Sequence, residues 1–163
     1  MANNHNHNKS DKARELILEY LDSAKLMQIC TSADNRPWVA NVWFGHDNDL
    51  NLYFISRNDR RHSIEIKKNP NVAGSIVKPP FEGLGQRVRG ITFEGTAEEV
   101  PNNKLGEAYI WYKNRYPQVE KQATLGDILG NFTMARIYKV RPSLYVLFDE
   151  VNFPEEPRQE FRP

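Results

Sequence analysis

Apolar side chains recur along this chain at two spacings, and the switch between them marks its elements. Ala13, Leu16, Ile17, Tyr20, Leu21 and Ala24 fall on one helical stripe and leave Glu15, Glu19 and Asp22 opposite, so an amphipathic helix is predicted. Ser10 stands where its hydroxyl can cap it. From Met27 onward the runs shorten. Residues 27–31, 38–44 and 50–55 read as strands, and the turn-forming stretches 34–37 and 46–49 between them predict two consecutive hairpins. A short helix over 61–68 closes at Asn69-Pro70, because proline disfavours helical backbone in the residue before it. Residues 72–77 resume as strand.

The stretch 86–100 is long for one strand; it reads as one bent strand or two abutting ones, with Gly90 and Gly95 permitting the bends. Asn102 or Asn103 can cap a second amphipathic helix carrying Leu105, Ala108, Tyr109 and Tyr112, which ends before Pro117. Residues 124–129 add a helical turn, and strands at 134–140 and 144–148 flank Arg141-Pro142. The sum is a mainly β chain with α+β decorations. Six to seven antiparallel strands are predicted to curl into a closed barrel, since closure removes exposed edges, with helices covering it. The expected organisation is a disordered N-terminus over 1–9, one domain over 10–150, and a surface tail over 151–163 rich in Pro and Glu.

Composition narrows the partners. A chain of 163 residues with 39% hydrophobic content can bury one sizeable core. Lys and Arg total 22 against 21 for Asp and Glu, a formal net charge of +1. No net field exists to hold nucleic acid or a membrane surface, so any phosphate recognition must be local. No apolar run approaches the roughly 20 residues of a membrane-spanning helix. Cys30 has no second cysteine to pair with, and no secretion signal is visible; a soluble, cytoplasmic protein is expected. His5, His7, His46 and His62 are not spaced like zinc ligands, and no metal site is expected. His5 and His7 form at most a weak metal tract by composition.

The stretch most suggestive of chemistry runs from Tyr53 to Ile64, where a strand ends in a basic, hydroxyl-bearing loop leading into a helix. A helix N-terminus offers unpaired N–H groups and partial positive charge, and guanidinium forks add bidentate hydrogen bonds to phosphate oxygens. Arg60, Arg61, His62 and Ser63 all fall there; a solvated basic turn balanced by Asp59 and Glu65 is the plainer reading. On the strand 38–44, Val39, Asn41 and Trp43 share one face while Trp38, Ala40, Val42 and Phe44 share the other. Both faces read as buried. Asn41 then needs partners, from a heterocyclic ring or from a neighbouring strand.

Gly83 to Gly90 is glycine-rich but lacks the strand, loop and long helix of a dinucleotide fingerprint. Gln86, Arg87 and Arg89 there either enter a ligand cleft or guard an exposed edge. Trp111, Tyr112 and Tyr116 are candidates for stacking on a planar ligand or a partner chain.

Taken in order, Pro37 to Phe44, Leu52-Tyr53-Phe54, Arg60-Arg61-His62, Asn69-Pro70-Asn71-Val72-Ala73-Gly74 and Ile91 to Ala97 make the chain similar to the pyridoxamine 5'-phosphate oxidase-like split-barrel family. The likeness extends over most of residues 13–150. It implies a homodimer holding two FMN molecules at the subunit interface. It also implies site residues: Asn41, Val42 and Trp43 along the flavin ring, and Ser56, Arg60, Arg61 and His62, with Ser63 beside them, around the phosphate. Gln86 and Arg87 lie where the family often places a Gln that reaches the flavin. The chain departs from the authentic vitamin B6 oxidases in its ending, 153–163, which lacks their basic and aromatic substrate segment. It departs also at Asp59, where relatives commonly carry a cation. The resemblance therefore implies a flavin-dependent oxidoreductase of unknown substrate, with a noncatalytic flavin or haem module as the alternative, for which His46 and His62 would be the ordered ligand candidates.

Overall fold

Asp34 (φ 52°) and Asn35 (φ 56°) reverse the chain between β1 (Leu26–Ala33) and β2 (Arg36–His46). Two left-handed residues make the turn whose twist matches that of the flanking strands, and short polar side chains tolerate that backbone best. The second hairpin, to β3 (Leu52–Arg57), is held by Asp47. Its buried carboxylate accepts the N–H groups of Asp49 and Asn51 at 3.0 and 2.9 Å and the hydroxyl of Tyr53 at 2.8 Å. There follow α2 (Arg61–Lys68), β4 (Asn71–Val77), β5 (Arg89–Glu99), α3 (Leu105–Arg115), α4 (Leu125–Leu129), β6 (Ala135–Asp149) and β7 (Arg158–Phe161), all preceded by α1 (Ala2–Ser23). The computed structural model describes residues 2–80 and 82–163, without the side chains of 2–9. Within the stretch expected to be disordered, the backbone of 2–9 belongs to α1, whereas the side chains of His5 and His7, and with them the weak metal tract, lie outside the described residues.

All strand pairs are antiparallel, in the order β3-β2-β1-β4-β5-β6-β7, and β3 pairs again with β6 to close a ring. Inward residues including Met27, Ile29, Phe44, Leu52, Phe54, Ile76, Tyr138 and Tyr145 form the core. α1 covers it through Ala13, Leu16, Ile17, Tyr20 and Leu21. α3 and α4 instead pack on the outer wall of β3 and β6, where Tyr53 and Ile137 meet Leu105, Ala108, Tyr109, Tyr112 and Ile128.

Four boundaries differ from the pattern-based expectation. The strands expected at 134–140 and 144–148 are one continuous strand, β6, with Arg141-Pro142 inside it. Leu144 lies opposite Glu94 and Pro142 opposite Gly95, so β6 gains one residue there. Such a bulge leaves a position where proline's missing donor costs nothing in the ladder. Gly95 is required at this point, because a Cβ would collide with the Arg141 carbonyl. The segment 86–100 is likewise one strand, beginning only at Arg89. The expected tail over 151–163 contains β7, which lies along Tyr145–Phe148. Ser10, finally, lies within α1 and does not cap it.

Two polar contacts, one part-buried and one buried, lock α1 to α3 and to the barrel. The Arg115 guanidinium donates to the carbonyls of Leu21 (2.5 Å), Asp22 (3.0 Å) and Ala24, and lies 5.0 Å over the Phe44 ring. It caps the last carbonyls of α1, which lack partners within the helix. Tyr20 donates its hydroxyl to Asp149, which also accepts the N–H groups of Val151 and Asn152, each at 2.9 Å. No helix among the described residues is long and apolar enough to cross a membrane.

Arg115→Ala is expected to cost about 1.5–3 kcal/mol, as typical for hydrogen bonds to a charged group, measured by urea denaturation. Burial would raise the Asp149 pKa, but the hydrogen bonds from Tyr20 and from Asn152 and Val151 outweigh it and hold the carboxyl below its usual 3.8. The stability it contributes is therefore complete above that value and is lost as pH falls through the lower folded value. Denaturation midpoints between pH 5 and 2 should fall less steeply in Asp149→Asn than in the parent; an identical slope would contradict this.

Candidate functional site

The loop joining β3 to α2 sorts its cations. Arg57 closes a two-pronged pair with Asp59, at 3.0 and 2.7 Å. Arg61 donates Nε to Glu65 at 2.7 Å and lies 4.4 Å over the Trp38 ring, while buried Glu65 also accepts the Thr31 hydroxyl at 2.5 Å. Burial opposes ionisation of Glu65, but the hydrogen bonds from Thr31 and Arg61 and the charge of Arg61 prevail and lower its pKa. Arg60 alone in this loop has a guanidinium without a hydrogen-bond or ion-pair partner among the described residues.

Arg60 is also the residue at which α2 begins, in extended backbone with φ −72° and ψ 147°. No side chain caps the helix, and Ile64 is the first residue whose N–H reaches back, to the Arg60 carbonyl at 3.0 Å. The first turn therefore presents backbone donors beside a free cation, an arrangement suited to an anion. His62 and Ser63 are buried under it. Ser63 donates to the Arg57 carbonyl at 2.8 Å, a structural bond, and His62 Nε2 lies 2.7 Å from Ser56 Oγ. Burial, then the charge of Arg60, lowers the His62 pKa, and Glu65 pulls the other way.

The β2 strand corrects an expectation. Val42 and Phe44 enter the core, but the opposite face is open: Val39 and Trp43 are each 54% exposed, and Asn41 is exposed. Asn41 meets its hydrogen-bonding need on the neighbouring strand, accepting from Gln28 Nε2 at 3.1 Å, and Gln28 in turn accepts from Ser75 at 3.1 Å. The result is a polar ladder across β2, β1 and β4. Trp38 is also surface-lying, at 42% exposure, with Arg61 as its lid.

Trp43 and Ser56 come together on a cavity of about 800 Å3, within the range of small-molecule sites. Its wall adds Tyr112 and Tyr116, with Trp43 meeting the edge of Tyr116 at 5.7 Å. Lys25, Gln122 and Thr133 contribute polar groups that carried no sign in the sequence, because each belongs to a different segment and none sits in a motif. Val42 faces the core instead. Gln86 and Arg87 are not brought to this cavity; they line a separate one of about 260 Å3. Gln86 is committed to its own turn, donating to the Pro80 carbonyl at 2.9 Å and accepting the Glu82 N–H at 2.6 Å. The other described histidine, His46, lies 2.9 Å from Asp22. Among the described residues no group of three or more His, Cys, Asp or Glu is arranged to hold a metal.

Comparison with known proteins follows this geometry. The chain is 23% identical over 141 residues to a UPF0306 protein of Klebsiella pneumoniae, covering 85% of this chain and 82% of that one. A UPF0306 protein of Photorhabdus laumondii is 27% identical over 104 residues, 63% and 71% of the two chains. Among solved structures, a putative pyridoxamine 5'-phosphate oxidase of Listeria innocua superposes with a TM-score of 0.63 at 20% identity, covering 83% of this chain and 97% of that one. A haem-binding protein of Mycobacterium smegmatis reaches 0.73 at 14% identity, over 92% and 57%. A haem storage protein of Vibrio cholerae reaches 0.63 at 19%, over 77% and 87%. These likenesses show a shared split-barrel fold, and the family model described as pyridoxamine 5'-phosphate oxidase matches residues 13–138: the chain belongs to that family.

Proposed function

We propose that this protein binds FMN and serves as a flavin-dependent oxidoreductase, with the cofactor at the interface of a homodimer. The observation that carries this reading is the uncapped start of α2 at Arg60, unpaired among the described residues; it does not line the aromatic cavity, but His62 of α2 is joined at 2.7 Å to Ser56, which does. The donor set fits a phosphate and the cavity wall fits a planar ring. Arg60 and the first N–H groups of α2 would hold the phosphate, with Ser56 beside them. Trp43, Tyr112 and Tyr116 would flank the ring and exclude water, and Asn41 would lie along its edge. When bound, FMN supplies hydride or electron transfer; the chain supplies binding and orientation. Arg61, expected with Arg60 to grip phosphate, belongs in this reading to the scaffold. Gln86 and Arg87 reach the ring only if a second copy brings them.

Self-association is supported by the open outer face of the sheet. Val39 and Trp43 stand exposed beside the ladder of Ser75, Gln28 and Asn41, next to a shallow groove whose lining is mostly apolar or small and neutral, as at Cys30, Ala73, Leu144 and Val146, with Glu94 as its charged member. Apolar and small neutral groups on an exposed sheet face are what a partner sheet covers. A haem module, the reading suggested by two of the structural neighbours, needs an accessible axial ligand. Both described histidines are committed, His62 to Ser56 and His46 to Asp22, which favours flavin.

Titration of the parent with FMN should quench flavin fluorescence, and Arg60→Ala should weaken binding about 10- to 100-fold, the worth of a charge-assisted hydrogen bond. Arg61→Ala should change affinity little and lower stability, since it strands the buried Glu65 carboxylate. A parent protein that ignores FMN but shifts the haem absorption band would replace this reading with the haem one. Sedimentation of the FMN-loaded protein should give a dimer; a monomer that binds FMN equally well would overturn the interface placement.

A further inference from the structure

The contact between Ser56 and His62 can run in two directions, and they differ in what the cavity sees. Ser56 has one hydroxyl hydrogen. When the His62 Nε2 is bare, Ser56 donates that hydrogen to it across 2.7 Å and turns only lone pairs toward the cavity it lines. When Nε2 carries a proton, His62 donates to Ser56, and the hydroxyl hydrogen is released to point at a ligand. An anion is repelled by the first arrangement and held by the second.

The groups facing His62 favour the neutral ring in the free protein, and with its single ring proton on Nδ1 that ring leaves Nε2 bare to accept from Ser56. Burial and the charge of Arg60 both disfavour the imidazolium, and the partial positive charge at the start of α2 acts in the same sense. Glu65 opposes them, but its carboxylate is already shared between Arg61 and Thr31. Arg57 is neutralised by Asp59. From the barrel side His62 meets the Phe54 ring at 6.0 Å, behind which lies Tyr138, whose burial keeps its hydroxyl protonated. A phosphate monoester arriving beside Arg60 adds roughly 1.5 to 2 negative charges near pH 7 and reverses this balance.

Resting on the reading that the start of α2 holds the FMN phosphate, we propose that His62 is a positioning residue that takes up a proton when a terminal phosphate monoester docks, turning the Ser56 hydroxyl toward it. The site thereby selects a dianionic terminal phosphate over the uncharged riboflavin. The proton comes from solvent and stays on the imidazole while the ligand is bound, so no other bond is made or broken.

Isothermal titration of the parent with FMN at pH 7.5, in two buffers of different ionisation enthalpy, should give heats that differ by the uptake of up to about one proton per site. Riboflavin should give no such difference. His62→Gln keeps an amide that can donate to Ser56, and should bind FMN without uptake. In the parent, FMN affinity should rise as pH falls from 9 to 7, a trend absent in the variant. Should His62→Gln fail to fold, Ser56→Ala replaces it, with the uptake expected to shrink. Equal heats in both buffers for the parent would mean that His62 merely exchanges tautomers; uptake retained in His62→Gln would place the proton elsewhere. Either result overturns the proposal and leaves FMN binding standing. No FMN binding by the folded parent overturns both.

Discussion

Pairing of β3 with β6 turns a sheet into a ring. From Leu52 opposite Val140 to Arg57 opposite Ala135, backbone hydrogen bonds join residues 78 to 88 positions apart. Without them both strands would present open edges, and the wall on which α3 and α4 rest would divide. The same pairing sets the loop that follows β3, for the Asn58 N–H continues onto the Met134 carbonyl at 2.9 Å. Ile55, Ser56 and Arg57 on one strand, with Thr133 and Ala135 at the start of the other, then form one side of the large cavity. Loop, cavity and helical wall are consequences of one closure.

Closure also explains why arginines of similar local setting have different tasks. Arg115 is drawn under α1 and becomes a helix cap, resting on Phe44. Arg61 is trapped between Trp38 of β2 and Glu65, whose second partner, Thr31, comes from β1. Arg57 is satisfied within its own turn by Asp59. Arg60, at the start of α2, has no hydrogen-bond or ion-pair partner among the described residues. In the proposed reading, what recommends the loop for phosphate is the Arg60 guanidinium, unpaired among the described residues, beside the N–H groups that begin α2.

Much of the architecture was legible in local pattern. The helix over 61–68 begins and ends where its boundaries were expected, because Asn69-Pro70 stops it by sterics within the chain. The first hairpin follows from Asp34-Asn35, and the stripe from Ala13 to Ala24 does bury itself. Thr124 caps α4 through Asp127, again a bond between near neighbours. β7 escaped notice because its four residues alternate weakly and are held from a distance: β6 supplies the ladder, and Asp149 supplies the turn before it. The continuity of β6 through Pro142 was hidden for a related reason, since proline looks like an interruption until Gly95 is seen opposite it.

The candidate site divides along the same line. Its residue types, a run of cations and hydroxyls before a helix and aromatics on a strand, are visible in order along the chain, as is the family likeness. Which arginine stays free, that Asn41 is answered by Gln28, that Val42 points inward and Trp43 outward, and that Gln86 folds back on its own turn are not visible. Propensity and periodicity act over a few residues, and so a linear reading captures them. Choice of partner for a charge or an amide depends on groups brought near by the closed barrel, and the sequence distance between Thr31 and Glu65, or Leu21 and Arg115, holds no record of that.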